Sequence, residues 1–286
     1  VCLNWAPSCG GCFYCLNERP GLCATYVEPI WGGTMMDGTT RLSSSGRTVY
    51  HFSGLACFAE RAVVPDVSCV PLSRDVPPDV AALIGCAVTT GVGAVLNTAR
   101  VRPGHSVVVY GAGGVGLSIV LGARLAGAGP IIAVDLSEAK GALARSFGAT
   151  EALVASPEVL PRIRELTSGR GADHVFDATG IPAVEEECLE AARPGGMVVL
   201  VGIAPMGSGT NLPGALITRQ EKTVTGSYYG TSVPARDFPL YAELFLKGQL
   251  DLGRLVTRTY RLDEINEAYE DMLRGDGARG VIVFPD

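Results

Sequence analysis

The chain has 286 residues, of which 47% are apolar and 18% charged, so it can form one large domain or two ordinary ones. Its 23 basic and 29 acidic residues give a net charge of −6, and no basic face indicates a nucleic-acid partner. Two uncharged stretches, 80–99 and 106–123, reach about the length of a membrane span. Because both contain glycine, threonine or serine, we expect neither of them to cross a membrane.

The chain contains nine cysteines, and it opens without the basic region of a secretory signal. That combination indicates metal or thiol chemistry rather than disulfides. We therefore expect the protein in the reducing cytoplasm.

Three zones follow one another along the chain. Residues 1–88 contain eight of the nine cysteines and two apolar runs that predict strands, Phe58–Pro65 and Val67–Leu72. In residues 89–225 strands and helices alternate; the predicted strands are Val107–Tyr110, Ile131–Asp135, Ala152–Val154, His174–Asp177, Met197–Gly202 and Thr223–Gly226, and the predicted helices lie near 114–127, 138–147, 157–168, 182–193 and 213–220. Residues 226–286 predict helices near 237–247 and 263–273 and a closing strand at Gly280–Phe284. Such alternation of apolar strands with helices predicts an α/β fold with a parallel sheet covered on both faces.

A cluster of four cysteines stands near the start of the chain. Cys9, Cys12, Cys15 and Cys23 follow one another at intervals of two, two and seven residues. Four thiolates so close together can surround zinc as a closed tetrahedron, which favours a structural zinc site. A disulfide-bonded lobe, an iron–sulfur site and a zinc ribbon for nucleic acid are the alternatives; they call for an oxidising compartment, other cysteine spacings or basic neighbours.

A glycine-rich turn follows the predicted strand Val107–Tyr110 and opens a predicted helix. It matches the dinucleotide fingerprint, in which glycines let the backbone approach a pyrophosphate at the helix N-terminus. Asp135 ends the next predicted strand, 19 residues after Gly116, where a carboxylate can accept from both ribose hydroxyls and repel a 2′-phosphate. No arginine follows Asp135, so the sequence predicts NAD rather than NADP. A glycine turn used only for packing is the alternative.

A third motif, Gly85–Gly91, places Cys86 among small residues. On spacing alone, Cys86 is interpreted as a buried core thiol. The cysteines outside the cluster are interpreted in the same way; they are Cys2, Cys57, Cys69 and Cys188. The three histidines are scattered, and we interpret each as a loop or strand-edge residue rather than a metal ligand.

Together these motifs resemble the zinc-dependent medium-chain alcohol dehydrogenases, particularly the liver-type branch that includes glutathione-dependent formaldehyde dehydrogenase. The cysteine cluster, the Gly85–Cys86 pair and the glycine turn have that family's order and spacing, as do the loop 33–41 and the tail 275–284. The resemblance covers essentially the whole chain. It implies a Rossmann doubly wound parallel sheet in residues 89–225, which would bind NAD. It also implies a GroES-like β-rich catalytic domain, N-terminally incomplete, in residues 1–88, to which residues 226–286 return.

The resemblance further implies an NAD-dependent zinc oxidoreductase that transfers a hydride between a primary alcohol, or its aldehyde, and NAD. Thr90 is implied as a catalytic-site residue beside the nicotinamide. The implied zinc ligands are Cys9, Cys12, Cys15 and Cys23 for a structural ion and Cys86 for a catalytic ion. The implied NAD-binding residues are Gly111, Gly113, Gly114, Val115, Gly116, Asp135, Lys140, Val201, Ile203 and Arg279.

One departure from the family concerns catalysis. Family members carry a segment ahead of the cysteine cluster that supplies a first cysteine ligand, a His-Glu pair and a proton relay, and this sequence contains no His-Glu pair. Two interpretations follow: a truncated fragment of an enzyme, incomplete for catalysis, or a non-catalytic nucleotide-binding remnant without the catalytic zinc. A zinc-independent reductase of the same fold is disfavoured by the cysteine cluster.

A second departure concerns the substrate. The glutathione-dependent branch has an arginine four residues after the fourth cysteine of the cluster, where this chain has Val27. We therefore expect a simple or aromatic primary alcohol, and a thiol adduct of formaldehyde is the alternative. The long loop 33–45 resembles that of the family's dimeric enzymes, which implies a homodimer acting on a small molecule.

Overall fold

The computed structural model describes residues 1–275 and 277–285. The chain divides into two compact units, one made of Val1–Thr89 with Ser232–Asp286 and the other of Thr90–Thr231. The sequence placed the second boundary at 225/226, whereas residues 226–231 belong to the second unit. Hydrogen bonds explain this placement, because the Thr98 hydroxyl lies 2.8 Å from that of Ser227 and 2.7 Å from that of Thr231.

The amino-terminal part of the first unit consists of short elements. They are β1 (Cys2–Leu3), α1 (Phe13–Leu16), α2 (Val27–Gly32), β2 (Leu42–Ser44), β3 (Arg47–Val49), β4 (Cys69–Val70) and α3 (Pro78–Leu83). Strand β1 pairs antiparallel with β4, and β2 pairs antiparallel with β3. The strand predicted at Phe58–Pro65 is wrong, because these residues form bends and irregular chain. Phe58 is 60% exposed and Val63 57%, so this apolar run neither joins a core nor, within the described chain, pairs with a strand.

The second predicted strand of this region, Val67–Leu72, is shorter than expected. A 3₁₀ turn occupies Asp66–Ser68, and only Cys69 and Val70 pair in β4. Strand β4 is limited to two residues because its partner β1 is only two residues long.

One helical stretch, Pro78–Ala99, is long and apolar enough to span a membrane by length and composition, and two thirds of its most apolar window are buried. It contains α3, a π-helical turn at Ile84–Val88, α4 (Thr89–Gly93) and a second π-helical turn at Ala94–Ala99. Val88, Val92 and Val95 are fully buried. We therefore interpret the stretch as a core helix.

The second unit is built around one sheet. Its strands are β5 (Val107–Tyr110), β6 (Ile131–Asp135), β7 (Glu151–Val154), β8 (Ala172–Asp177), β9 (Ala192–Leu200) and β10 (Thr223–Gly226). All six are parallel, in the order β7-β6-β5-β8-β9-β10. Numbered along the chain this order is 3-2-1-4-5-6, that of the doubly wound dinucleotide fold, so the predicted fold class is confirmed.

Helices connect these strands. They are α5 (Gly114–Leu125), α6 (Glu138–Phe147), α7 (Val159–Leu166), α8 (Pro182–Ala191) and α9 (Gly214–Arg219). Helix α5 packs closely against the helical stretch at Gly91, where a β-carbon would lie 2.5 Å from Cβ of Ser118 and 2.6 Å from the carbonyl oxygen of Val115. Only glycine fits there, and the contact fixes the start of α5 beside the carboxyl end of β5.

Strand β9 begins at Ala192, five residues before the expected Met197. The sequence Arg193-Pro194-Gly195-Gly196 resembles a turn, yet it joins the strand with a register shift opposite Ala172 and His174. Gly196 permits this path, because a β-carbon there would lie 2.8 Å from the carbonyl oxygen of Arg193.

The carboxyl-terminal part returns to the first unit. Its elements are α10 (Pro234–Leu246), β11 (Val256–Tyr260), α11 (Ile265–Arg274) and β12 (Arg279–Ile282), and β11 pairs parallel with β12. The predicted closing strand starts one residue earlier and ends at Ile282 rather than Phe284. The ring of Tyr260 covers Gly280, where a β-carbon would lie 2.6 Å from ring atom Cε2. The Tyr260 hydroxyl donates to the buried carboxylate of Asp271 at 2.6 Å.

Candidate coenzyme and zinc sites

The four cysteines of the amino-terminal cluster come together in the first unit. Their sulfur atoms all lie within 4.8 Å of one another. Sγ of Cys12 lies 3.5 Å from that of Cys15 and 3.9 Å from that of Cys23. A zinc ion with Zn–S bonds of about 2.3 Å in a tetrahedron separates its sulfurs by about 3.8 Å, so the donor set fits zinc in number, type and spacing.

Local structure prepares this cluster for a cation. The Thr25 hydroxyl and the backbone amides of Gly11 and Cys12 lower the pKa of Cys9 to about 6, whereas burial and the neighbouring Cys12 side chain raise the pKa of Cys15 to about 12. Without a metal ion, a thiolate therefore forms at Cys9 rather than at Cys15. Gly10 has a φ of +72°, a left-handed conformation that glycine adopts readily and that turns the chain between two cysteines. Within the described chain, this is the one group of three or more His, Cys, Asp or Glu side chains placed to bind a metal.

The glycine turn lies between β5 and α5 and has the close contacts that its sequence predicts. A β-carbon on Gly116 would lie 1.7 Å from the carbonyl oxygen of Gly111, and one on Gly111 would lie 3.0 Å from Cγ2 of Thr179. Gly113 differs, since a β-carbon there would meet no atom within 4 Å. Gly113 is the N-cap of α5 and offers no side-chain cap to the first-turn amides, so the open space in front of them fits a phosphate group.

Asp135 ends β6 with its carboxylate held in place. Its Oδ2 accepts from the amide of Ala112 at 2.6 Å, inside the glycine turn, and its Oδ1 accepts from the amide of Leu136 at 2.7 Å. A carboxylate has about four lone-pair sites, so both oxygens can still accept from ribose hydroxyls. Lys140 is half-buried in the first turn of α6, where the Ser137 side chain accepts from its backbone amide.

Val201 and Ile203 follow β9 at the same edge of the sheet as the glycine turn. The amides of Val201 and Gly202 both donate to the carbonyl oxygen of Asp177, at 2.9 and 3.0 Å. Gly180, with a φ of +68°, lets the backbone of Ile203 approach, since a β-carbon there would lie 2.6 Å from the carbonyl oxygen of Ile203. The buried Asp177 carboxylate accepts from the amides of Thr179 and Gly180, which fixes this loop.

Cys86 and Arg279 lie in the first unit, and Thr90 lies at the start of the second. Cys86 is exposed, so the interpretation of a buried core thiol is wrong; the π-helical turn at Ile84–Val88 presents its side chain to solvent. Cys57 is also exposed, while Cys2 and Cys188 are buried as expected. No group of three metal-binding side chains within residues 1–275 and 277–285 includes Cys86, so these residues do not by themselves fit a catalytic zinc ion.

Arg279 is half-buried, and its buried Nε atom has no hydrogen-bond partner within the part of the chain that the structure describes. Burial lowers the pKa of Arg279, and the nearby Cys86 thiol partly opposes that shift. An unpaired guanidinium nitrogen fits an anionic ligand, because burying a donor without an acceptor is costly.

One polar cluster was missed by sequence reasoning. His105 precedes β5 and His174 lies in β8, and Nδ1 of His105 is 2.9 Å from Nε2 of His174. Beside them, Oδ2 of Asp173 accepts from the Ser106 hydroxyl at 2.6 Å and its Oδ1 accepts from Nε of Arg193 at 2.7 Å. Strand order is the signal that could have found this pair, because β5 and β8 are adjacent although far apart in sequence.

Comparisons with known proteins agree with this arrangement. A sequence profile described as zinc-binding dehydrogenase matches residues 114–247. The S-(hydroxymethyl)glutathione dehydrogenase of Escherichia coli O1:K1 / APEC is 39% identical over 289 residues, covering 98% of this chain and 76% of that protein. The crystal structure of an alcohol dehydrogenase zinc-binding domain protein from Burkholderia ambifaria matches with a TM-score of 0.93 and 33% identity, covering 100% of this chain and 77% of that one. Benzyl alcohol dehydrogenase from Acinetobacter calcoaceticus matches with a TM-score of 0.92 and 30% identity, covering 99% and 77%.

The doubly wound sheet and these matches define the class of the protein as a zinc-binding dehydrogenase. Within that class, the chain belongs to the zinc-dependent medium-chain alcohol dehydrogenases, which are NAD-dependent oxidoreductases. The family resemblance noted in the sequence is confirmed.

Proposed function

We propose that this protein binds NAD in its second unit and takes part in hydride transfer between NAD and a primary alcohol or its aldehyde. The observation that carries the proposal is the glycine turn at the carboxyl end of β5. In this turn Gly111 and Gly116 are in contact, and the space at Gly113, in front of the first amides of α5, holds no protein atom. Asp135 stands beside that turn on the neighbouring strand. In doubly wound folds a dinucleotide binds at this end of the sheet, where the strand order reverses.

Each proposed residue has a role that its position supports. The pyrophosphate would lie against the backbone of the glycine turn, where the N-terminus of α5 would stabilise its charge. The residues of the turn are Gly111, Gly113, Gly114, Val115 and Gly116. Asp135 would accept from the adenosine ribose, with Lys140 beside it, and Thr90, Val201 and Ile203 would orient the nicotinamide. Arg279 would bind phosphate oxygens through its unpaired Nε.

Zinc would bind Cys9, Cys12, Cys15 and Cys23 as a structural ion that crosslinks the lobe. Cys86 is proposed as a ligand of a second, catalytic zinc, which would act as a Lewis acid on the alcohol oxygen. The proposed hydride transfer needs further ligands for that second ion, and the described residues supply none beside Cys86. We therefore expect residues 1–286 by themselves to bind one zinc per chain and to form no NADH from an alcohol. Metal analysis giving two zinc ions per chain, together with turnover, would contradict this expectation.

Coenzyme selectivity tests the assignment of Asp135. For Asp135→Asn we expect NADH affinity to fall about tenfold and NADPH affinity to rise, since the repulsion of a 2′-phosphate is removed. Titration calorimetry with both coenzymes measures the two changes. The control is Asp173→Asn, which changes a carboxylate bonded to Ser106 and Arg193 and should leave the ratio of the two affinities unaltered. Tighter binding of NADPH than NADH by the unsubstituted protein would show that Asp135 does not select the coenzyme.

The substrate proposed is a simple or aromatic primary alcohol. Val27 begins α2 and is 38% exposed, so the position that holds an arginine in the glutathione-dependent branch offers no cation here. A thiol adduct is the second candidate, favoured by the name of the Escherichia coli relative. Calorimetry with S-methylglutathione distinguishes them: we expect no measurable binding to the native protein and a gain of binding for Val27→Arg. Strong binding to the native protein would favour the second candidate.

A homodimer and a cytoplasmic location complete the proposal. Strand β10 is at the edge of the sheet and could meet β10 of a second copy, and the loop 33–45 is long. None of the nine cysteines, all of which lie within the described residues, forms a disulfide bond, as in proteins of a reducing compartment. Light scattering that gives a monomer or tetramer, or cell fractionation that places the protein outside the cytoplasm, would contradict the respective point.

A further inference from the structure

The segment 201–213 connects β9 to α9 and is unusually apolar where it meets solvent. Its side chains Ile203 and Met206 are 76% and 97% exposed. The segment starts at the carboxyl end of β9, the end of the sheet at which the glycine turn lies. Exposed apolar side chains at a binding edge indicate contact with a ligand rather than with the core.

Backbone contacts hold the start of the segment. The carbonyl oxygen of Asp177 accepts from the amides of Val201 and Gly202. Gly202 packs so tightly on the neighbouring loop that a β-carbon there would lie 2.1 Å from the amide nitrogen of Gly180. The position of Ile203 is therefore set on one side by the loop that follows β8.

Two carboxylates of α8 hold the other end. The Thr210 hydroxyl donates to Oε2 of Glu185, and the backbone amide of Asn211 donates to Oε1 of Glu186 at 2.9 Å. Glu185 is only 5% exposed, which is uncommon for a glutamate and requires a partner of this kind. Leu212 then packs on the core of the unit, so the segment is anchored immediately after these two bonds.

We infer that Glu185 and Glu186 are positioning residues that hold the 201–213 segment in the form that receives the nicotinamide half of the coenzyme. This inference rests on the proposed function, which places Ile203 beside the nicotinamide. With both ends tied, the segment between them loses fewer conformations when the coenzyme binds, so a preorganised Ile203 increases affinity. The adenosine half binds at Asp135 and the glycine turn, neither of which the two glutamates contact in the bonds described.

The test compares two ligands on three variants. NADH contains the nicotinamide, and ADP-ribose has the same adenosine and pyrophosphate groups without it. For Thr210→Val, which removes the hydroxyl and keeps the shape, we expect the dissociation constant of NADH to rise about fivefold and that of ADP-ribose to stay unchanged. Thr210→Ser should restore the native NADH affinity, because its hydroxyl can still donate to Glu185. The matched control is Glu190→Gln on the exposed side of α8, which should change neither constant.

Equal binding of NADH by the native protein and Thr210→Val would overturn the inference while leaving the proposed function in place. Equal weakening of NADH and ADP-ribose would overturn it as well, since that result indicates a general loss of structure. If the native protein binds neither ligand, the proposed function fails and the inference fails with it.

Discussion

The two units of the chain are built in different ways. The second unit has one sheet of six parallel strands whose central members are buried on both faces; Val107, Val108, Ile132, Val175 and Phe176 are all fully inaccessible. Within its described residues, the first unit has three separate two-stranded sheets and a lobe of short helices around four cysteines. Phe13, Leu16 and Trp31 of that lobe are each more than half exposed.

This difference indicates that the two units are stabilised in different ways. Burial of apolar strands stabilises the second unit, and the coenzyme site proposed there consists largely of backbone groups, with glycines, amides and one carboxylate. An isolated pair of strands is marginal in water, so the lobe of the first unit needs another source of stability. In the proposed zinc site, four thiolates around one ion would provide it, because binding a structural zinc also stabilises the fold that brings the ligands together.

Removal of zinc should therefore have the largest effect, and it should be confined to the first unit. Structural zinc sites in small peptides contribute roughly 10 kcal/mol, so Cys12→Ser should release the ion and unfold residues 9–23. Metal analysis measures the zinc, and hydrogen exchange should show loss of protection in the lobe with β5, β6 and β8 still protected. Cys69→Ala, which changes a cysteine outside the cluster, serves as the control and should keep one zinc per chain. An unaltered zinc content in Cys12→Ser would mean that the cluster does not bind the metal.

Within the second unit, substitutions of Gly116 and Gly113 should distinguish an effect on stability from an effect on coenzyme binding. Gly116→Ala places a β-carbon 1.7 Å from the Gly111 oxygen, so we expect a loss of more than about 3 kcal/mol in the free energy of unfolding. Gly113→Ala meets no atom within 4 Å and should cost less than about 1 kcal/mol. It should nevertheless weaken NADH binding about tenfold, because the new methyl group occupies the space in front of α5. Chemical denaturation and calorimetry give the two quantities, and a native-like stability for Gly116→Ala would contradict the described turn.

The histidine pair makes the second unit sensitive to acid, with a smaller effect. Burial and the charges of His105 and Arg193 lower the pKa of His174 to about 4, and Asp173 opposes that shift. The unfolded chain, with an ordinary histidine pKa near 6.5, therefore binds the proton more readily than the folded chain, so stability falls as the pH falls from about 6.5 to about 4. We expect a loss on the order of 2 kcal/mol between pH 7 and pH 4.5.

Denaturation of the native protein and of His174→Asn at these two pH values isolates the contribution. The variant should lose less stability, and an equal loss would mean that His174 is not the group responsible. Asp173 titrates in a separate range. Burial raises its pKa, but the bonds from Ser106 and Arg193 outweigh that effect and hold the pKa below the ordinary value, so its contribution is lost only in more acidic solution.

The bounds of helices and strands were predicted best where a clear local sequence pattern belongs to a buried element. Strands β5 and β6 and helix α6 begin and end at the residues expected, because buried apolar runs mark the two strands and the cap at Ser137 marks the helix. The prediction failed where strand formation depends on a neighbouring strand. Phe58–Pro65 has strand-like residues, but no strand within the described residues pairs with it. The same reason applies to the candidate sites, because the cysteine cluster and the glycine turn are local in sequence. The His105–His174 pair depends on which strands are neighbours, and the Glu185–Thr210 pair depends on the path of the segment after β9 beside α8.

The contact between Tyr260 and Gly280 has an evolutionary consequence. Because the tyrosine ring occupies the space of a side chain at position 280, the two positions constrain each other through a fixed volume. Sequences that change Gly280 to a larger residue should also carry a smaller residue at 260, whereas position 271 should stay acidic without the tyrosine hydroxyl, because Arg258 and Arg274 also pair with the Asp271 carboxylate. We expect the positions to substitute as a correlated group, which would keep the backbone of Arg279 in one conformation while the surrounding side chains diverge.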